Sequence, residues 1–232
     1  MQIILTFKVN HPIAFPYNYN YQVQSAILQK LKEVGASDFF HNTGFSGGEG
    51  KIFKGFVFGK LLGEHSHING QMVFTDTVSL EVRSPVFEFC DTLQRSFELN
   101  PKIRLFDSEL KIYGANLNNY HINSDSVVCF TDSPVVVRIK SQCIAPDNEN
   151  FVPALKKNFY DKYRIMRNAP AGEIEITPLG NHKKIVTKYK GVVLEIYSGM
   201  YRIEGNSDSL EFLYNTGLGE KNSQGFGMLN VL

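Results

Sequence analysis

Thr75-Asp76-Thr77-Val78-Ser79-Leu80-Glu81-Val82-Arg83-Ser84-Pro85 turns a strand into a helix within a few residues. Val78, Leu80 and Val82 alternate with polar neighbours, the period-two pattern of a strand with one buried face. Ser84-Pro85 then reads as a helix opening, a hydroxyl cap followed by the ring that the first helical turn tolerates. Val86, Cys90, Leu93 and Phe97 follow at helical spacing and mark the face that meets the sheet. Upstream, Gln2 to Val9 is rich in β-formers, and Tyr21 to Val34 carries the stripe Val23, Ile27, Leu31, Val34 before Gly35 stops it. The polar, glycine-rich stretch from Asn42 to Gly50 predicts irregular chain, and Phe53 to Leu62 predicts a strand. Downstream, Glu109 to Leu117 supplies a final strand. The order strand-helix-strand-strand-helix-strand is the ferredoxin-like arrangement.

The same alternation begins again near residue 125. Val127 to Ile139 is strand-rich, with Pro134 dividing it or sitting on an edge. Asn150 to Asn168 predicts a helix with Phe151, Leu155, Phe159, Tyr163 and Met166 on its apolar side. Residues 173–178, 183–190 and 192–203 read as strands, 207–214 as a short helix and 226–232 as a closing strand. The fold class expected is therefore α+β, with tandem ferredoxin-like (βαββαβ) units over residues 1–120 and 121–232 and a glycine-rich loop near the carboxyl end.

Composition sets outer limits. The 232 residues are 43% hydrophobic and 20% charged, enough apolar mass to bury a core against the entropy of folding. No apolar run of about 18 residues is present, which argues against a membrane span. The opening residues lack the basic region and small-residue cleavage site of an export signal, and read as a first strand. Cys90, Cys129 and Cys143 are odd in number and widely spaced, against a disulfide scaffold or zinc knuckle and compatible with a reducing cytoplasm. His65 and His67 form an H-x-H pair with no further ligand near, so exposed turn residues are expected and no metal site. The net charge of +1 conceals a polarised chain: residues 156–190 carry +6 and the remainder −5. Lys156, Lys157, Lys162, Arg164, Arg167, Lys183, Lys184, Lys188 and Lys190 supply that excess. A solvated helix face is the commoner meaning of such lysines, but their concentration here favours phosphate contact.

Gly217-Leu218-Gly219-Glu220-Lys221-Asn222-Ser223-Gln224-Gly225-Phe226-Gly227 is the least ordinary segment. Its two G-hydrophobic-G units flank five polar residues, between a helix and the last strand. Glycines let backbone amides turn towards an anion or pack against a neighbouring chain. The Walker and dinucleotide patterns are both missing. With Lys221 inside, the segment points to phosphate contact through Gly217, Gly219, Lys221, Gly225 and Gly227.

The G-h-G-x5-G-h-G pattern before the last strand of a double ferredoxin-like chain resembles the CRISPR-associated repeat-processing endoribonucleases, the sixth Cas family of the RAMP superfamily. Phe15-Pro16-Tyr17-Asn18-Tyr19-Asn20-Tyr21, His41, and Lys54-Gly55-Phe56-Val57-Phe58 are similar to that family's opening. The resemblance implies metal-independent cleavage of a CRISPR precursor within its repeat, with no cofactor, releasing guide crRNAs. It implies repeat RNA as partner, and subunits of a CRISPR interference complex or a second copy of the chain as further ones. Such chemistry needs a base for the ribose 2′-OH, an acid for the leaving 5′-oxygen and a cation at the crowded phosphorus, and gives a 2′,3′-cyclic phosphate and a 5′-OH. DNA lacks the nucleophile. His41, between Phe39-Phe40 and the glycine-rich stretch, is the histidine expected to act. Lys54 is the lysine the resemblance implies, with Lys51 the alternative on the other strand face. Tyr19 is the tyrosine preferred, although Tyr17 and Tyr21 share its loop and each could instead pack on the sheet. The competing readings are a non-catalytic RNA-binding RAMP subunit and a phosphate-ligand enzyme for which no cofactor motif is found.

Overall fold

The computed structural model describes residues 1–36, 38–47 and 50–232, without the side chains of Asp38, His41 and Asn42. The first sheet is built from β1 (Gln2–Lys8), β2 (Val57–Leu62), β3 (Thr77–Arg83), β4 (Lys102–Leu105) and β5 (Ser108–Asn118). Their order is β2-β3-β1-β5-β4, and every pair is antiparallel. β1 is central, with Leu5 opposite Leu80 on one side and Ala115 on the other. Ile3, Leu5 and Phe7 alternate onto one buried face. Helices α1 (Asn20–Glu33) and α2 (Phe87–Leu99) bury Val23, Ile27, Leu31, Phe89, Leu93 and Phe97 in the same core, where Phe7 and Phe97 meet at 5.8 Å.

The second sheet contains β6 (Ser126–Thr131), β7 (Ile174–Tyr189), β8 (Val192–Gly205) and β9 (Leu229–Val231), in the order β7-β8-β6-β9. Helices α3 (Phe151–Arg167) and α4 (Ser207–Thr216) complete a second strand-helix-strand-strand-helix-strand run. Phe151, Leu155 and Phe159 of α3 pack with Tyr201, Ile203, Leu210 and Leu213. The architecture is a tandem ferredoxin-like α+β fold.

Several local expectations are corrected. Helix α2 starts at Phe87, because Ser84 works for the loop before it: its hydroxyl accepts the Val86 N–H at 3.0 Å and donates to Gly55 O at 2.6 Å. The two short strands expected over 173–190 are one strand, β7, whose register against β8 slips between Leu179 and Lys183 around Gly180 (φ 61°). The closing strand is only Leu229–Val231, since Phe226 is drawn into a small core with Tyr189, Leu194 and Ile196. The expected strand Phe53–Leu62 is broken at Lys54-Gly55. The stretch Asn42–Gly50 begins in the last residues of a π-helical turn (Asp38–Thr43) and contains Phe45–Ser46, which pairs with Ile52–Phe53, while Gly48 and Glu49 lie outside the described residues. Ile13–Pro16, Gln71–Phe74 and His65–Ile68 form a further small sheet on which His65 and His67 are exposed.

Arg83, at the end of β3, is buried and joins the two sheets. Its Nη1 donates to Leu229 O at 2.5 Å, its Nη2 to Asn230 Oδ1 at 2.6 Å, and its guanidinium lies 3.7 Å over the Tyr214 ring. The Tyr214 hydroxyl in turn donates to Gln2 Oε1 at 3.0 Å. Among the described residues no helix is long and apolar enough to cross a membrane.

Candidate functional site

A cleft of about 840 Å³ opens between residues 51–56, one face of α3, and the loop from Gly219 to Gln224. Lys51, Lys54, Arg138, Lys157, Lys162 and Lys221 contribute to its walls, against the carboxylates Asp161 and Glu220. Cations that outnumber anions this way in a concave site concentrate a positive field.

The first wall is set by Gly55, whose φ of 75° turns the chain between Ile52–Phe53 and β2. Lys54 therefore stands in a turn, not in a strand. The pleat that would have put Lys51 and Lys54 on opposite faces is interrupted, and both lysines line the same cleft. Burial lowers the Lys54 ammonium from its ordinary value. Lys51 pairs with Asp161 of α3. Asp161 also has Lys157 at 3.6 Å and Arg164 at 4.0 Å. Burial pushes its carboxyl up, but the Lys51 hydrogen bond and the charges of Lys51 and Lys157 outweigh this and hold it below the usual value.

The opposite wall is the glycine loop, and here the structure divides the sequence expectation in two. Both G-hydrophobic-G units point inward. Gly217, Leu218, Gly219, Gly225, Phe226 and Gly227 are buried, and their glycines serve close packing, not an anion. At Gly227 (φ 78°) a Cβ would lie 2.0 Å from Leu218 O, and at Gly219 (φ 71°) 2.5 Å from Val136 O. Of the two units only Gly219 borders the cleft, where it joins the segment between them. Lys221 stands there half-buried, its ammonium lowered by burial and by Arg138, which itself pairs with Glu220 at 2.7 Å. Asn20 at the start of α1 donates to Gln224 O at 3.0 Å and Gly225 O at 3.1 Å, tying the loop to the first sheet's helix.

Lys162 is not a surface phosphate ligand. Its side chain is 2% exposed, and burial brings its ammonium down to about 7. Lys156 and Lys184 are paired with Glu175 and Glu195 at 2.6 and 2.8 Å. Arg167 lies 5.8 Å from the Phe212 ring centre and Lys190 4.5 Å from that of Tyr21. Lys183, Lys188 and Arg164 are exposed. Of the basic stretch, only Lys157 and Lys162 line the cleft. Sequence reasoning missed Gln24, Arg138, Asp161 and Asn222. Asp161 carried a usable signal, as the lone carboxylate among five basic residues from Lys156 to Arg167.

None of the three tyrosines is among the cleft-lining residues. Tyr19 is buried, accepts the Leu61 N–H at 3.1 Å and is pushed up to about 12 by burial. Tyr17 stacks on His67 and bonds its Nδ1 at 2.8 Å, while Tyr21 meets Tyr189 edge-on. Tyr19→Phe is therefore expected to leave the RNA cleavage that the resemblance implies within twofold while lowering stability by about 1–3 kcal/mol, because the Leu61 N–H loses a buried acceptor. Thermal melts and a cleavage time course check both halves. The backbone of His41 lies in the turn Asp38–Thr43, and its side chain lies outside the described residues. Among the described residues no group of three His, Cys, Asp or Glu side chains could hold a metal ion.

The paired sheets and the inward glycine loop define a tandem ferredoxin-like protein, and three comparisons narrow this. Residues 117–231 match the family model of the CRISPR-associated protein Cas6 C-terminal domain. A CRISPR-associated endoribonuclease Cas6 of Pyrococcus furiosus is 26% identical over 226 residues, covering 93% of this chain and 83% of its own. Another, of Methanocaldococcus jannaschii, is 25% identical, covering 99% and 92%. A solved CRISPR-associated protein Cas6 superposes with a TM-score of 0.83 at 23% identity, covering 100% of this chain and 99% of its own. The chain belongs to the CRISPR-associated Cas6 family.

Proposed function

We propose that this protein is an endoribonuclease that cuts CRISPR precursor RNA within the repeat and so produces guide crRNAs. One observation carries this reading: Lys51, Lys54, Arg138, Lys157 and Lys221 converge on one cleft, and its Ile52–Lys54 wall packs on Gly44 and Phe45, which directly follow the turn that holds the His41 backbone. Phosphates of an RNA strand laid there would be neutralised by the lysines and Arg138. Lys54, or Lys51 once it leaves Asp161, would face the charge that develops on the non-bridging oxygens at phosphorus. The His41 imidazole would take the proton of the 2′-OH and return it to the leaving 5′-oxygen, the acid–base work that a histidine side chain can do near neutral pH. The 2′-oxygen forms its bond to phosphorus as the 5′-oxygen leaves, giving a 2′,3′-cyclic phosphate and a 5′-OH. No tyrosine is needed in this scheme. An imidazole with flanking ammonium groups supplies both the proton transfers and the charge stabilisation, so we propose that no divalent ion takes part.

The test is to incubate the purified protein with end-labelled repeat RNA in excess EDTA. The expected result is undiminished cutting at one site, with a cyclic-phosphate end, abolished by a single 2′-deoxy sugar at that site. A requirement for added Mg²⁺, or a 3′-OH product, would overturn the mechanism. Tight binding with no cut in either buffer would overturn the activity itself.

A further inference from the structure

Helix α3 turns two consecutive side chains to opposite walls of the cleft. Asp161 reaches the first wall and holds Lys51. Lys162 reaches the second, where its Nζ donates to Gly217 O at 2.5 Å, Asn222 Oδ1 at 3.1 Å and Gly219 O at 3.5 Å. An ammonium has three donors, and here they meet three oxygens of one loop. Among the described residues no carboxylate lies within ion-pair distance of it. The side chain is thus committed to the loop and is not half of an ion pair.

We propose that Lys162 is a positioning residue for the RNA-cleaving site: it gathers Gly217, Gly219 and Asn222 and thereby sets where Lys221, Ser223 and Gln224 stand on the cleft wall. The backbone shows why the loop requires it. With φ of 81° and 71°, Gly217 and Gly219 bring their carbonyls round to the buried side, where water does not serve them. Without Lys162 both oxygens would be buried acceptors lacking that donor, a condition loops relieve by moving. Asn222 relays the constraint. Its Oδ1 takes Lys162 while its Nδ2 donates to Leu218 O at 3.2 Å and Phe226 O at 3.0 Å, bridging the two G-hydrophobic-G units. The separation of the two cationic walls is therefore fixed by one step along a rigid helix. Lys162 itself is buried where it borders the cleft, and its donors are taken by the loop, not offered to the substrate.

This inference rests on the proposed RNA-cleaving reading, so the experiment keeps the two apart. Lys162→Met, Lys162→Arg and Asn222→Ala would be compared with the wild type by amide hydrogen exchange and by single-turnover cleavage of repeat RNA at saturating protein. The expected result for Lys162→Met is about tenfold or more faster exchange of the Leu218, Glu220 and Gly227 amides, with β1 and β6 unchanged. The cleavage constant should fall about 10–100-fold, the scale of a roughly 1 Å misplacement. Lys162→Arg should recover part of both, and Asn222→Ala, whose site is half-exposed, should show the same pattern more weakly. A loosened loop with an unchanged cleavage constant would overturn the proposal, since Lys162 would then serve the fold alone. An unchanged loop in Lys162→Met would overturn it too. If Lys162→Met does not fold, Asn222→Ala decides by the same two measurements. Absence of cleavage by the wild type would fail the functional reading, and the exchange data with RNA affinity at Lys221 would still judge the loop.

Discussion

His41→Ala is expected to slow cleavage of repeat RNA by about 10²–10⁴-fold, the loss that follows removal of a general acid–base group, while affinity for the RNA stays within a few-fold. The neighbours of His41 give the residue a fixed origin. Phe40 is buried edge-on against Phe89 at 4.9 Å, and Phe39 meets Phe45 edge-on at the same distance. The π-helical turn is therefore pinned by the two rings that immediately precede residue 41. A single-turnover assay at saturating protein separates chemistry from binding. Full activity in the alanine variant would retire His41 from the mechanism, and an equal loss of affinity would make it a ligand of the RNA instead.

The second large effect is on binding. RNA affinity is expected to fall about 20- to 130-fold between 50 and 200 mM monovalent salt. That range corresponds to three to five phosphates neutralised on a single strand, each releasing condensed counterions. The cleft offers five cations for this: Lys51, Lys54, Arg138, Lys157 and Lys221. Because Lys51 and Arg138 are already paired with Asp161 and Glu220, their release is part of the cost of binding. A filter-binding series in salt measures the slope. A nearly flat dependence would show that the RNA is held elsewhere, and a DNA strand of the same sequence should bind with a comparable slope and remain intact.

The βαββαβ order was legible because its strands and helices bury one face each, so period two and period 3.6 stand out in β3, α1 and α3. What escaped had no such contrast. His65–Ile68 is exposed throughout, so no apolar alternation marks it, and Lys102–Leu105 is a four-residue edge strand with two charges. The relation between Lys51 and Lys54 was misread because pleat arguments assume a continuous strand, and a glycine with positive φ interrupts this one. The tyrosine choice failed for a similar reason: sequence placed three hydroxyls in one loop and could not say which ring the sheet would bury. Lys162 was the instructive case. It follows Leu155 by seven residues and lies on the same apolar stripe as Phe159, a position that a helix buries. Counting it among the surface cations ignored that periodicity.

The Arg83 guanidinium makes the two lobes a single rigid jaw. Glu81 on its own strand takes its Nε, but the acceptors of Nη1 and Nη2 belong to the far sheet, so any swing of one lobe on the other would leave two donors of a buried guanidinium without partners, a cost no modest rearrangement repays. A polymer entering such a mouth meets a gap of preset width. Adaptation then falls to the flexible guest, which must bend, unpair or unstack its own nucleotides until its backbone conforms to a gauge that the host does not adjust.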